Sequence, residues 1–515
     1  MTAGSSSRIG EAGGAIPSDH DAASPAGNLS SCVTQRLARR LTNQGALLFL
    51  GYASAQGFSF MRNALIGHGL SKGDFGIAAT ITLTLQLMET LGDLGTDRLI
   101  VQAVDGDAEP FVANAHAVNL ARGALTAALL YFSAGPIAAF FGIPDIAWAL
   151  EIAALVPLIR GFLHLDCRRA QRRLDNRPQL LIEVLPQAAT LAATLPLIMW
   201  SGGYAVAVWL ALLQATAMVM LSHVLAERPY RLVFDLAVIG RFVRFGWPIW
   251  LSAFPLIAVY QGDRIVIARF AGMEDLAAFS AAFMITMVPG LIAAKVGHAL
   301  MLPVLSGARG VTDVFERRFA RLSEVTALAT SLYLLLFLAA GGAILPLAFG
   351  DNYTGLGPVV AWLAVMWGFR MMQAVPGMAL MALGQTRPLL VAGMIRASAL
   401  ILTLAAAIQG LGLASIAACG VLGELASLVY VAWRLDRAQP SLMQVFLIRV
   451  AALAPAVVLG VMCAALFTPK LGIVAPVAAA ALAGAILTQL TGWVAPELYR
   501  SVLDARLGHA QSTRH

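Results

Sequence analysis

Charge is scarce in this chain. Only 12% of its 515 residues are Asp, Glu, Lys or Arg, against 59% apolar, where a soluble domain carries roughly a quarter charged residues. That balance excludes a disordered chain, a nucleic-acid-binding module and an ordinary cytosolic enzyme. Cysteine is nearly absent: Cys32, Cys167, Cys419 and Cys463 stand far apart, so neither a disulfide framework nor a zinc site is supported. The signatures GxxxxGK(S/T), HExxH and GxSxG are missing, and the histidines are scattered, His298 being the one deep in an apolar run. The segments expected on the outer face are too short to hold a catalytic domain. No catalytic residue, metal or cofactor is expected, and the chain reads as something other than an enzyme.

What the sequence has in abundance is apolar runs of about 20 residues, the length that crosses a bilayer as a helix. About 14 are legible, near 44–66, 75–101, 113–134, 145–166, 179–200, 204–225, 244–268, 276–302, 323–349, 357–383, 388–409, 411–433, 444–467 and 471–495. The expected fold is an all-α integral membrane protein. Arginine is distributed unevenly between alternate loops. One side takes Arg36, Arg39 and Arg40, the cluster Arg168, Arg169, Arg172, Arg173 and Arg177, then Arg228, Arg231, Arg241, Arg309, Arg317, Arg318, Arg321, Arg387, Arg434 and Arg437. The other side takes Lys72, Arg269 and Lys470. Cytoplasmic loops carry the basic excess, so both termini are expected in the cytoplasm, and the basic pI of about 9.5 follows from topology.

An internal repeat organises the spans. RNALIGHGLSKGDFGIAA from Arg62 echoes DRIVIARFAGMEDLAAF from Asp263 at an offset of 201, and FFG followed by RPQLL is echoed by AFG followed by RPLL. This predicts two pseudo-symmetric six-helix lobes plus two C-terminal helices. The expected boundaries are a disordered tail at 1–40, an N-lobe at 41–225 and an amphipathic interfacial linker at 226–243, where Arg interleaves with Leu, Val, Ile and Phe. A C-lobe at 244–435, two further spans within 436–498 and a tail at 499–515 complete the chain.

Three ordered motifs carry a family resemblance: LSKGDFGIAA leading into ETLGDLGTDRLIVQ, YQGDRIVIARFAG with MEDLAAFSAAFMI, and ILPLAFGDNYTGLGPVVAWLAV followed by ALGQTRP. Over 44–435 the chain resembles the bacterial oligosaccharide flippases and polysaccharide exporters (Wzx-type) of the multidrug/oligosaccharidyl-lipid/polysaccharide exporter superfamily. The resemblance implies inner-to-outer-leaflet translocation, by alternating access in a bacterial inner membrane, of a lipid-linked oligosaccharide for surface polysaccharide. It implies membrane lipids, a glycan polymerase and glycosyltransferases as partners, and no nucleic acid. The competing readings are a lipid II flippase, which the two extra spans suggest, a multidrug exporter, and a membrane glycan polymerase or ligase.

Ionisable residues inside spans are functional candidates because burying a charge in hydrocarbon is expensive. Glu89, Asp93 and Asp97 recur every four residues, and the 201 offset sets Asp97 opposite His298 and Asp93 near Lys295. An inner gate between lobes is one reading; the other is that Asp97 and His298 snorkel to the inner surface, while Glu89 and Asp93 lie too deep for that and either could be the acid that couples transport to an ion gradient. The same offset pairs Arg62 with Asp263. That pair is an outer gate, or Arg62 and Arg264 hold a substrate phosphate, or Asp263 simply neutralises Arg264. Arg370 takes either substrate or Glu424, and Lys295 joins the cations that could face substrate. Arg160, Arg396 and Arg449 are expected to snorkel.

Overall fold

Bilayer thickness sets the length of the helices. The computed structural model describes residues 50–467 apart from 174 and 452, and leaves the side chains of 293–300, 456 and 463–467 outside the description. The first six expected spans correspond to α1 (50–69), α2 (Lys72–Gly92) with α3 (Thr96–Gln102), α4 (Glu109–Phe140), α5 (Ala147–Ala153) with α6 (Leu155–Gly161) and α7 (Asp166–Arg172), α8 (Arg177–Ser201) and α9 (Val206–Val224). The next six are α10 (Leu236–Phe270), α11 (Met273–Ser306), α12 (Thr312–Phe349), α13 (Gly357–Ala382), α14 (Arg387–Ile408) and α15 (Leu413–Ala438). They are followed by α16 (Pro440–Ala451) and α17 (Leu453–Phe467), which occupy the thirteenth expected span. Among the described residues, 11 helices, α1 not among them and α16 with α17 counted as one, are long and apolar enough to cross a membrane, or 12 if the bent fourth span counts as one. The fourteenth expected span lies outside the described residues, as do both expected tails.

The apolar pattern does not reveal where spans break. Residues 75–101 read as one helix, yet α2 stops at Gly92 and α3 restarts at Thr96. Gly95 sits at φ +63°, a conformation glycine adopts without strain, and the Asp93 carboxylate accepts the Gly95 N–H at 2.8 Å. Glu89, Asp93 and Asp97 therefore do not lie on one face of a continuous helix. The fourth span breaks at Ala154, three residues before Pro157, whose missing N–H leaves the Ala153 carbonyl without its helical partner. It then bends by 50° into α7.

The connection at 226–235 is not an amphipathic helix but an extended strap. Local contacts hold it open. His116 donates to the Arg231 carbonyl at 3.1 Å and His164 to the Arg228 carbonyl at 3.0 Å, while Tyr230 stacks on the His116 ring at 4.4 Å. Asn114 then accepts the Asp235 N–H at 2.7 Å, and the Asp235 side chain caps α10 through the Ala237 N–H. Histidines scattered in sequence are thus gathered around the strap, and the backbone groups they satisfy are ones a helix would have paired internally.

Helices pack in two sets. In the first, α8 lies on α9, and α4 on α5 and α6; in the second, α12 lies on α13, α13 on α15, and α14 on α15 and α10. α16 and α17 pack on α12. Arg449 reaches Glu324 at 2.6 Å and Ser441 reaches Glu316 at 2.5 Å. The common 125-residue separation means α16 and α12 run parallel in fixed register, so Arg449 is paired with a buried acid and does not snorkel.

The sets meet where α2 crosses α11 and where α10 lies along α2, α3 and α4. At the crossing, a Cβ added to Gly76 would fall 1.9 Å from the Met273 carbonyl oxygen. Two backbones touch there, and backbone cannot rotate aside as a side chain can. Gly76→Ala is expected to force the two sets apart at this end while leaving each folded. A cysteine introduced at Ser280, which lines the cavity below, should then react severalfold faster with an impermeant maleimide from the arginine-poor face. An unchanged rate would mean that the contact does not close the molecule.

The arginine-rich end of the first set is electrically closed. Arg241 holds Asp105 at 2.6 and 2.8 Å, Arg169 holds Asp107 at 2.7 Å, Arg231 holds Glu109 at 2.5 Å and Arg168 holds Asp97 at 2.5 Å. Hydrogen bonds from Arg241 and from Arg169 keep the Asp105 and Asp107 carboxyls below the ordinary carboxylate range. The acidic loop near 102–112 thus lies among the very arginines assigned to the same face from sequence.

Candidate substrate cavity

Between the two sets lies a cavity of about 580 Å³. α1, α2, α6, α8 and α9 line it on one side and α10 and α11 on the other. Its walls are rich in side-chain amides, Gln56, Asn63, Gln86, Gln187, Gln214 and Gln261, with Tyr260 and Ser280 among them. Amides and a phenol offer donors and acceptors without net charge; the ion pair of Glu89 with Arg160 also lines the cavity, and two further cations stand out.

Arg62 projects from α1 and donates from one terminal nitrogen to Gln187 at 3.2 Å, Thr190 at 3.3 Å and Gln214 at 3.1 Å, on α8 and α9. Every acceptor is neutral. Arg264, on α10 across the cavity, donates to the Gln261 side chain and to the Tyr260 carbonyl, and its guanidinium lies 5.0 Å from the Phe283 ring centre. Its Nε has no hydrogen-bond partner among the described residues. Among the described residues neither arginine is in an ion pair. Gln261 also donates to Gln86 at 2.9 Å, so a chain of bonds runs from Arg264 through two amides to the opposite wall.

Asp263 neighbours Arg264 in sequence but faces the other way, into the second set, where Thr403 donates to it at 3.1 Å and Gly420 lies close by. The structure does not bring Arg62 and Asp263 together. Arg370 is also placed elsewhere. Its guanidinium donates twice to Glu424, lies 4.5 Å from the Trp367 ring and 4.9 Å from the Tyr260 ring, and does not line the cavity. Of the two readings of Arg370, the geometry matches the structural partner, because α13 and α15 pack along their length and bury both groups. Arg396 adds a weaker contact to Glu424 at 3.9 Å.

The three acids of the second and third helices find partners within their own set. Glu89 lines the cavity and pairs with Arg160 of α6, Asp93 pairs with Arg98 at 3.4 Å, and Asp97 with Arg168. Arg160, read as a snorkelling residue, is therefore a cavity residue. The side chains of Lys295 and His298 lie outside the described residues. Sequence reading missed the amides that hold Arg62; they lie 125 to 152 residues away in the chain, and no local pattern marks them.

An aromatic seal separates the cavity from the arginine-poor face. Phe349 stands edge-on to Phe60 at 5.9 Å and packs against Phe75 at 6.1 Å. Phe75 meets Tyr353 at 6.1 Å, and the Lys72 ammonium sits 5.7 Å from that ring. Phe60 and Phe75 come from the first set, Phe349 and Tyr353 from the second.

Helical throughout its described residues, with two helix sets around a polar cavity, the chain shares its fold with solved membrane transporters. A lipid II flippase MurJ in an inward closed conformation superposes with a TM-score of 0.69 at 13% identity, covering 89% of this chain and 100% of that one. An inward-facing multidrug resistance MATE family transporter of the MOP superfamily gives 0.62 at 13% identity, covering 74% and 94%.

Residues 70–358 match the family described as polysaccharide biosynthesis protein, and the chain belongs to that family. The succinoglycan biosynthesis transport protein ExoT of Rhizobium meliloti is 26% identical over 64% of this chain and 67% of its own length. The teichuronic acid biosynthesis protein TuaB of Bacillus subtilis is 23% identical over 57% and 61%, and the lipopolysaccharide biosynthesis protein WzxC of Escherichia coli 20% identical over 60% and 63%. The alignments thus span about two thirds of these relatives' lengths. The resemblance to Wzx-type exporters drawn from the sequence motifs holds.

Proposed function

We propose that this chain flips a polyprenyl-pyrophosphate-linked oligosaccharide from the inner to the outer leaflet of a bacterial cytoplasmic membrane, for assembly of a surface polysaccharide. One observation carries the reading. Arg62 and Arg264, one from each helix set, face a single cavity, and among the described residues their hydrogen-bond partners are all neutral. A guanidinium without a carboxylate keeps its charge available, and its planar fork matches phosphate oxygens. The surrounding amides and Tyr260 suit sugar hydroxyls. A multidrug-cation exporter would want the opposite polarity, and Glu89, the acid lining this cavity, already has Arg160.

In the proposed cycle the pyrophosphate bridges Arg62 and Arg264 while the polyprenyl tail stays in the bilayer, and the sets then rock about the α2–α11 contact. The Phe60–Phe75–Phe349–Tyr353 cluster serves as the outer gate. Asp263, half-buried and with Thr403 as its one hydrogen-bond partner among the described residues, is the proposed ion-coupling acid. Glu89, Asp93 and Asp97, with Lys295 and His298, are proposed to govern the inner end. Both termini are proposed to lie in the cytoplasm, a reading the arginine asymmetry supports, with glycosyltransferases acting before the flip and a glycan polymerase after it.

The test is to delete the gene and follow lipid-linked oligosaccharide on each face of the membrane. Accumulation on the cytoplasmic face with loss of surface glycan is the expected result. Intermediates that reach the outer face but stay short or unattached would identify a polymerase or ligase instead.

A further inference from the structure

The arginine-rich ends of the two helix sets differ in a way their sequences do not advertise. In the first set, arginines are matched by acids at close range. In the second, Arg387, Arg434 and Arg437 join no ion pair and donate no hydrogen bond among the described residues, and Asp436, the nearest acid in sequence, is likewise unpaired. Arg434 and Arg437 instead lie against the Trp433 ring, at 5.9 and 4.3 Å from its centre.

These cations sit where lipid would meet them. α14 and α15 run antiparallel: Ser427 donates to the Ala392 carbonyl at 3.1 Å, Arg396 lies 3.9 Å from Glu424, and Thr403 and Gly420 both approach Asp263. That register sets the start of α14, with Arg387, beside the end of α15, with Trp433 and Arg434. On α14 the outward stripe Leu390 and Met394 begins one turn after Arg387. On α15 the outward stripe Leu425, Val429 and Trp433 ends one turn before Arg437. Residues three or four apart share a helix face, so each apolar stripe terminates in an unpaired guanidinium. Tryptophan marks the depth of the membrane interface. A soluble acidic partner would have no reason to meet cations at the head of two lipid-facing stripes.

We infer that Arg387, Trp433, Arg434 and Arg437 form a site for the anionic phosphate headgroup of a phospholipid in the leaflet on the arginine-rich side. The guanidinium groups take the phosphate oxygens and the indole packs on the glycerol and upper acyl region. Because the site lies on the outside of the second helix set, its occupancy is separate from substrate in the cavity.

The full chain is placed in phosphatidylcholine vesicles with and without added phosphatidylglycerol. Thermal unfolding and phospholipid adducts retained in native mass spectrometry are then compared. Wild type is expected to unfold at higher temperature with phosphatidylglycerol and to retain it over phosphatidylcholine. Arg387→Gln/Arg434→Gln/Arg437→Gln should bind it on the order of 100-fold more weakly, from the attraction of about three basic side chains to an anionic surface, with unfolding in pure phosphatidylcholine unchanged. If the triple variant does not fold, Arg437→Gln alone should weaken retention about 5-fold. Arg317→Gln/Arg321→Gln, cations off these two stripes, should change nothing.

Equal loss in that control would mean a diffuse surface charge and overturn the site. So would an unchanged triple variant, or a wild type indifferent to phosphatidylglycerol. An equal stabilisation by inorganic phosphate in phosphatidylcholine vesicles would assign the site to free phosphate and overturn the lipid. None of these readouts depends on transport, so they stand or fall apart from the proposed flippase activity.

Discussion

Arg62→Gln and Arg264→Gln are each expected to lower flipping roughly 10- to 100-fold, the range that follows from losing one charge-assisted contact, with little loss of protein from the membrane. The second half of that expectation distinguishes a ligand from a structural cation. Arg62 is held by Gln187, Thr190 and Gln214, and removing a guanidinium from neutral acceptors strands no opposite charge. The double variant should be inactive, and Arg62→Lys should recover less than half of the activity, because an ammonium cannot fork across two phosphate oxygens. Complementation of the deletion strain with immunoblotted membranes reads both quantities. Exchanging Arg62 with Asp263 should not rescue function, since the two side chains face different interiors. Full activity in either single glutamine variant would remove the cavity cations from the mechanism.

Arg370→Met gives the opposite signature. Arg370 and Glu424 are enclosed between α13 and α15, with side chains 10% and 3% exposed. Taking away the guanidinium leaves Glu424 with only the weaker 3.9 Å contact to Arg396 in a low-dielectric interior, a change that approaches the roughly 3–5 kcal/mol of a broken buried pair. The expected result is loss of folded protein from the membrane, with any residual fraction active. Arg370→Met/Glu424→Met should restore abundance, because replacing both members of a buried pair by apolar side chains of similar volume is often neutral or better. A double variant as depleted as the single one would show that the pair also organises its neighbours, Arg396, Tyr260 and Trp367. Stable but inactive Arg370→Met would return the residue to the substrate site.

The order of the helices was legible because a bilayer demands a fixed apolar length and a helix has a fixed rise. The same argument is blind to interruptions. Asp93 and Gly95 read as two more residues of a span until the carboxylate is seen to cap the turn that follows it. The strap at 226–235 reads as an amphipathic helix by composition alone, yet its backbone is claimed by His116, His164 and Asn114 from elsewhere. At the site, depth in the bilayer identified Arg62, Arg264, Arg370 and Glu89 as unusual. What each does depended on its partners, and those that other helices bring to Arg62 are glutamines and a threonine, residue types that carry no alarm in a sequence. Glu424 was recognisable as a mate for Arg370 because a charge is conspicuous; Gln187 and Gln214 were not.

The parallel register of α16 on α12 has a mechanical reading. Two polar contacts, one of them between buried charges, prevent the later helix from sliding or turning on the earlier one, so any rotation of the second helix set carries α16 with it. A spin label on the exposed face of α16, paired with one on α8, would work as a protractor. It would read the angle between the two halves of the molecule without a probe in the cavity.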